Sequence, residues 1–282
     1  MAEVTSYGGM RDADCAAFLQ WCLPRLGLRW AGFRRVRGTV CKRIARRIRA
    51  LGLADLEAYR ARLEADDDEW QRLDALCRIP ISRFWRDRRV FDSLAHDVLP
   101  ALAAAARDRG DRSLSIWSAG CASGEEPYSL RLAWRVDAEA AFPSLGITIV
   151  ATDVDETLLA RARAGLYRRG SLRDLPPRLV GLAFEVSDGL YRVREWLRRD
   201  VTFLRQDIRR DLPDGPFDLI LCRNLVFTYF DGVLQTELLD RVCRRLRPGG
   251  ALVIGVHEFL PASGSPLARW GVSGPIYRFL PS

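Results

Sequence analysis

The stretch SLSIWSAGCASGEEP, residues 113–127, decides the fold class. It opens with a short β-rich run and continues into a turn that contains Gly120 and Gly124, where the backbone is free to approach a ligand. Pro127 suits the opening turn of a helix. A strand, a glycine-containing turn and a helix in this order predict the first unit of an α/β sheet. The GxxxG spacing alone is a weaker cofactor signal than the full GxGxxG fingerprint.

Short β-rich runs alternate with helix-like segments along the rest of the chain. This spacing predicts an α/β fold with a doubly wound, mostly parallel sheet and crossover helices. The closing run at 275–281 adds one more strand, a candidate for an antiparallel edge. The other predicted sheet strands are GITIVATD at 146–153, VTFLRQD at 201–207, FDLILCRN at 217–224 and ALVIGV at 251–256.

A separate signal lies at 183–193, AFEVSDGLYRV. Two strand-like runs flank a Ser-Asp-Gly turn, which predicts a hairpin. We expect a small β insert ahead of the third sheet strand. Whether it has a binding role or is an ordinary surface hairpin is open at this point.

Polar residues follow the predicted strands at their carboxyl ends. Asp153 ends the second strand, where doubly wound sheets bind a ribose diol; this role is favoured over helix capping, for which Asp155 is also available. Asp207 and Ile208 end the third strand. There the Asp207 carboxylate is a candidate acceptor for an adenine amino group, and the Ile208 side chain is a candidate cover for the ring. The fourth strand ends at 222–225. These strand ends predict one ligand crevice.

The first 78 residues predict a helical domain with a strongly basic second helix. Residues 25–49 contain ten basic side chains and no acidic one. In a helix over 39–51 the apolar positions share one face and the cations lie elsewhere. Such a block indicates an anionic partner: nucleic acid, a membrane surface or an acidic protein. The alternative is a solvated face, partly neutralised by acidic residues 66–69 of a third helix over 54–77.

Composition limits the remaining classes. The chain has 282 residues, 48% apolar content and a net charge of +8, enough for one large core and a smaller one. No apolar run reaches the ~20 residues of a membrane span and the start lacks a signal-peptide pattern, which predicts a cytoplasmic protein without membrane insertion. The seven cysteines form no CxxC pair, which favours reduced thiols, most of them small core residues. With two histidines, neither beside another candidate ligand, no metal site is expected.

Four blocks stand in a fixed order: IWSAGCASGEEPYSL (116–130), ATDVDETLLARARAGLY (151–167), FDLILCRN (217–224) with YFD shortly after, and LRPGGALVIG (246–255). Together they resemble the CheR-type chemotaxis-receptor methyltransferases. Upstream, the basic helix, ALGLADLEAYRARLEA and SRFWRD continue the similarity, and SRFWRD looks like the family's TxFFRD segment. The resemblance covers nearly the whole chain.

The resemblance implies a class I S-adenosylmethionine-dependent methyltransferase domain over 96–282, with the β insert at 183–193. It also implies an all-α domain over 1–78 and a linker over 79–95 that contributes to the cofactor site. The implied cofactor is S-adenosyl-L-methionine and its product S-adenosyl-L-homocysteine. The residues implied to bind it are Ser82, Arg86, Gly120, Gly124, Glu125, Asp153, Asp207, Ile208, Asn224 and Leu225.

In that family the methyl acceptor is a glutamate side chain on an acidic, helical chemoreceptor, and the basic second helix faces it. Arg43, Arg46 and Arg47 match this role and are the predicted substrate-binding residues. The resemblance also implies a monomer that binds no nucleic acid. The short turn at 187–189 predicts direct recognition of the substrate helices, because family members that tether a receptor tail through the insert have a longer, glycine-richer loop.

Two side chains are the predicted catalytic residues. Arg86 orients the acceptor carboxylate, with a structural pair to Asp87 or Glu125 as the alternative. Tyr229 shapes the wall beside the transferring methyl group, with a place in an aromatic core as the alternative. One residue more than in the family pattern precedes it, so Thr228 competes for this place.

Two further departures affect the expected site. Pro80 stands where the family commonly has an asparagine before Ser82, and the segment at 255–258 is one residue longer than its counterpart. The acceptor side is therefore the least transferable part, and a small molecule, a peptide or another protein is the alternative acceptor. A basic nucleic-acid- or membrane-binding module ranks last, because the cofactor residues would be unexplained and no aromatic stacking platform accompanies the arginines.

Overall fold

The computed structural model describes residues 6–7, 10–262, 264–271 and 274–281. The chain forms two compact units. The first contains residues up to Ile79 together with Thr228–Leu234, and the second contains Pro80–Phe227 and the residues from Gln235 onwards. A segment from late in the chain is thus part of the N-terminal unit. None of the helices in the described ranges has the length and apolar character needed to cross a membrane.

The first unit is mainly helical. Two short strands, β1 (Ser6–Tyr7) and β2 (Met10–Arg11), pair antiparallel before the first helix. A 3₁₀ turn over Leu23–Leu26 directly follows that helix. The helices are α1 (Asp12–Cys22), α2 (Trp30–Phe33), α3 (Arg37–Ala50), α4 (Leu56–Ala65) and α5 (Asp67–Cys77).

The basic helix α3 forms because its apolar residues share one face. Val40, Ile44 and Ile48 recur every four residues and are all buried, which confirms the amphipathic pattern predicted over 39–51. Burial of each such side chain contributes about 1.5–3 kcal/mol. Packing on this face therefore leaves the cationic residues on the remaining sides of the helix.

The single third helix predicted over 54–77 is wrong, because the chain breaks it at Asp66. The backbone of Asp66 is extended, with φ −145° and ψ 105°, and its carboxylate accepts a hydrogen bond from the Asp68 N–H. Asp66 is therefore the N-cap of a new helix, α5. Asp55 caps α4 in the same way by accepting from the Ala58 N–H.

A disulfide joins Cys15 of α1 to Cys41 of α3. The expectation that all the cysteines are reduced is therefore wrong for this pair. The two helices bring their Cα atoms to 6.0 Å, within the range that an S–S bond spans, whereas a separation of 26 residues along the chain carries no such signal. Most cysteines are core residues, as predicted: those that are free and buried are Cys22, Cys77, Cys121, Cys222 and Cys243.

The second unit is built around a seven-stranded sheet. Five strands run parallel: β3 (Ser113–Ala119), β4 (Gly146–Asp153), β8 (Val201–Arg205), β9 (Phe217–Leu221) and β10 (Leu246–Val253). The closing run forms β12 (Ile276–Phe279), antiparallel to β10 as predicted. It is not the edge strand, because β11 (Leu267–Arg269) pairs with its outer side.

The strand order β11-β12-β10-β9-β3-β4-β8 places β3 in the middle of the five parallel strands. From β3 the chain builds outwards to β4 and β8, and then returns to the other side of β3 to form β9 and β10. Such a reversal opens a crevice at the carboxyl ends of the strands on either side of it. Every residue of β9 is buried, as is typical of a central parallel strand covered on both faces. The predicted doubly wound, mostly parallel sheet is confirmed.

Helices precede and connect the strands of this sheet, and two of them are extended by π-helical turns, at Leu94–Val98 and at Trp134–Ala138. The last two helices each belong partly to the first unit, because that unit includes Thr228–Leu234. The helices are α6 (Arg88–Ser93), α7 (Leu99–Asp108), α8 (Glu125–Ala133), α9 (Glu156–Ala164), α10 (Pro177–Ala183), α11 (Glu195–Arg198), α12 (Val226–Tyr229) and α13 (Gly232–Cys243), with a 3₁₀ turn at Arg169–Leu172.

The predicted β insert is confirmed as a separate small sheet. Its strands β6 (Phe184–Ser187) and β7 (Leu190–Val193) form an antiparallel hairpin, and β5 (Leu166–Tyr167) pairs with β7. Asp188 and Gly189 at the turn have φ values of 52° and 73°. Two positive φ angles in a two-residue loop are typical of the type I′ turn that suits a twisted hairpin.

The residues just before α6 are packed into the second unit. Phe84 and Trp85 are buried in the same apolar core as Phe91. The Phe84 ring meets the rings of Tyr167 and Phe184 edge-on, with centroids 4.8 and 4.9 Å away. The segment assigned from the sequence to a linker is thus held in place, directly after Arg83, by the aromatic packing of Phe84 and Trp85.

Candidate functional site

The turn after β3 is held against the end of β4. The N–H groups of Gly120 and Cys121 both donate to the Thr152 carbonyl oxygen, at 2.8 and 3.0 Å. Gly120 has φ 72°, and a Cβ added there would meet the Leu225 side chain at 2.7 Å. Glycine is therefore required at position 120 for both its backbone angle and the close approach of Leu225.

Gly124 is needed for packing of the turn, and its predicted role at the cofactor remains a prediction. Its φ is 91°, and a Cβ added there would meet Ala162 of α9 at 2.8 Å and the Tyr167 hydroxyl at 3.1 Å. The Tyr167 hydroxyl donates to the Ser123 carbonyl oxygen at 2.6 Å. The small size of Gly124 thus serves close packing of the turn against α9 and β5.

Asp153 ends β4 and orders the backbone around it. Its Oδ2 accepts from the Ala122 N–H and its Oδ1 from the Asp155 N–H, at 2.8 and 2.9 Å. The N-cap of α9 is Asp155, which accepts from the Thr157 and Leu158 N–H groups. The structure therefore assigns the helix cap to Asp155 and leaves the half-buried Asp153 at the crevice.

Glu125 begins α8 and is buried. Both of its carboxylate oxygens lie within hydrogen-bond distance of the Ser123 hydroxyl, and Oε1 also accepts from the Ser171 hydroxyl at 3.3 Å. The position at the first turn of a helix is favourable for an anionic side chain. Its predicted role at the cofactor remains a prediction.

The predicted adenine residues, Asp207 and Ile208, lie just after the end of β8. Asp207 forms a two-pronged ion pair with Arg209, the closest contact being 2.7 Å, and Ile208 is buried. The preceding residue, Gln206, donates its N–H to the Asp153 carbonyl oxygen. The side-chain oxygen of Gln206 is buried and has no hydrogen-bond partner among the described residues.

The end of β9 is fixed by a carboxylate that the sequence did not single out. Asn224 has φ 54°, and its N–H donates to Glu258 Oε2 at 2.8 Å. The same oxygen accepts from the Gly255 N–H. Glu258 is 7% exposed and thus joins the ends of two neighbouring strands, β9 and β10.

Arg86 has neither of the partners considered from the sequence. Its guanidinium donates to the Ile81 carbonyl oxygen at 2.6 Å, whereas Asp87 pairs with Arg223 and Glu125 accepts from serines. Burial lowers the pKa of the Arg86 guanidinium, with the Asp87 carboxylate acting in the opposite direction. It stays protonated at neutral pH, as arginine does in proteins.

Residues with left-handed backbone angles are concentrated around the predicted cofactor residues. Outside glycine, the described residues with positive φ are Asp188 in the hairpin turn and four that are predicted cofactor residues or lie within two residues of one. Each such residue costs of order 1–3 kcal/mol, so the surrounding structure has to hold it in place. The four are Trp85 (φ 59°), Asp87 (φ 62°), Ala122 (φ 49°) and Asn224 (φ 54°).

Two of the predicted substrate residues are bound inside the helical unit. Arg47 makes a two-pronged pair with the buried Glu69, with 2.6 Å as the shorter contact. Arg43 donates to the carbonyl oxygens of Leu76 and Arg78, which satisfies acceptors at the end of α5. Arg46 is exposed.

Tyr229 belongs to the first unit, whereas all ten predicted cofactor residues belong to the second. Its ring packs on Phe33 with centroids 5.2 Å apart, and its carbonyl oxygen accepts from the Arg29 N–H. A Cβ added at Gly32 would lie 2.2 Å from the Thr228 carbonyl oxygen, so only glycine allows this approach. The aromatic contact considered for Tyr229 is present; a role beside the methyl group remains a prediction for Tyr229 and Thr228.

Two family models match the chain. The "CheR methyltransferase, SAM binding domain" matches residues 81–269 and the "CheR methyltransferase, all-alpha domain" matches residues 36–74. A "Chemotaxis protein methyltransferase" of Salmonella typhimurium is 33% identical over 267 residues, which are 92% of this chain and 88% of the relative. The protein of the same name from Klebsiella aerogenes is 34% identical over 268 residues, 92% of this chain and 87% of the relative.

The fold and the matched domains define an S-adenosylmethionine-dependent methyltransferase of class I. The chain belongs to the CheR methyltransferase family. The resemblance stated from the sequence is therefore confirmed, as are the fold class, the enzyme class and the cofactor.

The residues at the crevice fit this cofactor. The buried Gln206 oxygen, which lacks a donor among the described residues, offers an acceptor beside the proposed adenine site. Gly120 adds no side chain to the turn, and Asp153 presents a half-buried carboxylate at the strand end, as ribose sites in such sheets do. A polar acceptor, a carboxylate and a glycine-containing turn lie on three adjacent strand ends and match the polar groups of an adenosyl ligand.

Sequence reasoning missed four polar residues here: Gln206, Glu126, Arg223 and Glu258. Each lies directly beside a residue that was assigned or within a segment that was quoted. Arg223 and Glu258 are buried charged side chains that lie shortly after the apolar strands β9 and β10. The signal available in the sequence was a charged residue close to the end of an apolar run. Their partners lie far away in sequence, so the contacts themselves had no signal.

Proposed function

We propose that this enzyme forms methyl esters on glutamate side chains of an acidic, helical, chemoreceptor-like protein. The observation that carries the proposal is the outer side of α3. Lys42, Arg46 and Arg49 are exposed there at i, i+4 and i+7, and none has an ion-pair partner within the described ranges. A row of free cations along a helix complements an acidic helix. The names of the chemotaxis relatives point to the same class of acceptor.

Among the three predicted substrate residues, Arg46 carries this proposal. The guanidinium groups of Arg43 and Arg47 are already bound within the helical unit. A cation that is paired internally gains little from a second anion, whereas an exposed one steers an oppositely charged partner.

The second unit would hold the cofactor at the carboxyl edge of its sheet. Asp153 would accept from the ribose hydroxyls, Asp207 and Ile208 would flank the adenine, and Asn224 with Leu225 would line the methionine side. Glu125, Gly120, Gly124 and Ser82 complete the proposed contacts. When bound, S-adenosylmethionine supplies an electrophilic methyl group on a sulfonium that is a good leaving group.

The chain's own residues then act mainly by positioning. A glutamate carboxylate with an ordinary pKa near ~4.3 is ionised at neutral pH, so no general base is needed. Holding two reactants in line supplies up to roughly 7–11 kcal/mol of a barrier. Arg86 would orient the incoming carboxylate through its fixed guanidinium. Tyr229 or Thr228 would shape the wall beside the methyl group.

The test is transfer of labelled methyl from S-adenosylmethionine to membranes of the source organism, followed by mild base. Release of the label as volatile methanol identifies a carboxyl ester and supports the proposal. Label that stays on its acceptor after base identifies a different acceptor group and overturns the glutamate assignment. A small labelled product instead of labelled protein identifies a small-molecule acceptor.

A charge-reversal pair tests the docking surface. Arg46→Glu should reduce the rate of protein methylation and its dependence on salt, while S-adenosylhomocysteine affinity stays unchanged. The matched control is Arg112→Glu, because Arg112 is equally exposed but lies just before β3, at the opposite end of the sheet from the crevice. Equal loss in both variants would show that overall charge, not the surface of α3, governs the rate.

A further inference from the structure

Arg223 is a buried cation of the second unit that is not among the proposed cofactor contacts. Its side chain is 2% exposed. The guanidinium donates to the Asp87 carboxylate at 2.6 Å, to the Glu126 carboxylate at 3.0 Å and to the Arg86 carbonyl oxygen at 2.9 Å. It also lies 5.3 Å from the centre of the Phe91 ring. One side chain thus bonds to three separate groups.

Those groups come from segments that carry predicted cofactor residues. Arg86, whose carbonyl oxygen bonds to Arg223, lies in the segment before α6 and is itself a predicted cofactor residue. Glu126, which pairs with Arg223, lies in α8 directly after the predicted cofactor residue Glu125. Arg223 itself is followed by Asn224 at the end of β9. A single guanidinium therefore joins three parts of the candidate cofactor site.

The backbone around Arg86 depends on such support. Trp85 and Asp87, on either side of it, have φ values of 59° and 62°, in the left-handed region that these residues rarely adopt. The Trp85 N–H donates to the Ser129 hydroxyl at 3.0 Å on one side. On the other side the restraint comes from Arg223, through the Arg86 carbonyl and the Asp87 carboxylate.

We infer that Arg223 is a positioning residue that assembles the cofactor edge by fixing the backbone on both sides of Arg86 against α8 and β9. It acts through Asp87 and Glu126. Without its charge, two largely buried carboxylates would face each other without a cation, and the left-handed turn would lose its restraint. The inference rests on the cofactor site assigned under the proposed function.

The test compares two buried arginines in the same unit. Arg223→Gln and the control Arg131→Gln are made in the full chain, and S-adenosylhomocysteine affinity is measured by calorimetry beside thermal unfolding. Arg131 is a matched control because its side chain is 9% exposed and pairs with Asp200 at 2.9 Å and Glu139 at 3.4 Å. Among the described residues, its hydrogen bonds and ion pairs go to Asp200 and Glu139 and not to the segment at 80–87.

Both variants should lower the unfolding temperature, whereas only Arg223→Gln should weaken S-adenosylhomocysteine binding, by roughly 30-fold. Arg223→Lys keeps the charge but not the fork of donors, and should restore part of the affinity. An unchanged affinity in Arg223→Gln overturns the inference. So does an equal loss in Arg131→Gln, because a general loss of stability would then explain the effect.

A milder pair keeps the test informative if Arg223→Gln does not fold. Asp87→Asn removes one partner of Arg223, and Asp200→Asn removes one partner of Arg131. We expect about tenfold weaker binding in the first and no change in the second; equal affinities overturn the inference.

Asp153→Ala separates this inference from the site assignment. If Asp153→Ala weakens binding and Arg223→Gln does not, the site stands and the positioning role is wrong. If neither weakens binding, the site assignment fails and the positioning role fails with it.

Discussion

Glu258 holds the backbone of Asn224 in place: its Oε2 accepts the Asn224 N–H at 2.8 Å. The same oxygen accepts the Gly255 N–H, and a Cβ at Gly255 would lie 2.8 Å from it. A buried acceptor shared by two strand ends explains how Asn224 keeps its φ of 54°. The extra residue in the segment at 255–258 is thus compatible with a defined carboxylate position.

Glu258→Ala should weaken S-adenosylhomocysteine binding and lower stability, because two buried N–H groups lose their acceptor. Leaving buried donors unsatisfied costs about 1–3 kcal/mol. Glu258→Gln keeps an acceptor oxygen and should lose much less. Calorimetric titration and thermal unfolding of the two variants provide the comparison, and similar losses in both would mean that the negative charge, not the hydrogen bonds, is what matters.

Asp153→Ala should abolish most cofactor affinity, through loss of both the proposed ribose contact and the hold on the Ala122 and Asp155 N–H groups. Asp155→Ala is the matched control two residues away. It removes the cap of α9 and should cost about 1 kcal/mol of stability without changing S-adenosylhomocysteine affinity. Unchanged affinity in Asp153→Ala would contradict the site assignment.

Acid should destabilise the helical unit through Glu69. Its pKa lies below the usual range, first because it accepts hydrogen bonds from Arg47 and also because Tyr59 donates to it. A carboxyl whose pKa is depressed by folding adds stability above its unfolded value of about 4.3, and that stability is lost as the pH falls through the folded value. Urea unfolding between pH 7 and pH 3 should show this loss, and Glu69→Gln should flatten it. Glu64→Gln, at an exposed pair with Arg60, is the control and should leave the profile as it is.

Arg47→Met should destabilise the same unit at neutral pH, because the buried Glu69 carboxylate would lose its cation. The expected cost is about 2–3 kcal/mol, below the full range for a buried pair because the Arg47 side chain is 26% exposed. Arg46→Met, on the exposed side of α3, should change stability little. A similar loss of stability in both variants, measured by urea unfolding, would contradict an internal role for Arg47.

Thiol counts test the pairing of Cys15 with Cys41. Burial raises the pKa of Cys22 to about 12 and that of Cys243 to about 11, so native thiols should react slowly with a disulfide reagent at pH 8. After denaturation without reductant five thiols should titrate, and all seven after reduction. Seven thiols without reductant would show that the pair is open in solution.

Regular patterns made much of this fold predictable. The sheet strands, the hairpin at 183–193 and the amphipathic α3 follow from local periodicity and turn residues, which act within a few residues of each other. Asp66 shows the limit of this reasoning: a polar residue inside a helix-like run is also a helix cap, and the local sequence alone did not decide between the two.

Single residues of the site were predictable from the sequence, but the contacts between them were not. Asp153 and Asn224 were assigned because they end strands, but their partners Ala122 and Glu258 lie 31 and 34 residues away. The internal use of Arg43 and Arg47 was hidden for the same reason. A run of cations looks uniform in sequence, and only packing separates those that are bound inside from those that face solvent.

The segment Thr228–Leu234 has a consequence for how this family can be recombined. It forms a bridge from Phe230 to Leu28 and receives the Arg29 N–H at Tyr229, so the N-terminal unit is completed by residues encoded far downstream. A chimera made with one crossover near Ile79 would bring in foreign helices without the strand-like segment that matches them. Exchange of this domain between relatives therefore requires that the residues up to Ile79 and the segment Thr228–Leu234 are replaced together. The residue at position 32 has to be a glycine, because it lies against the Thr228 carbonyl oxygen.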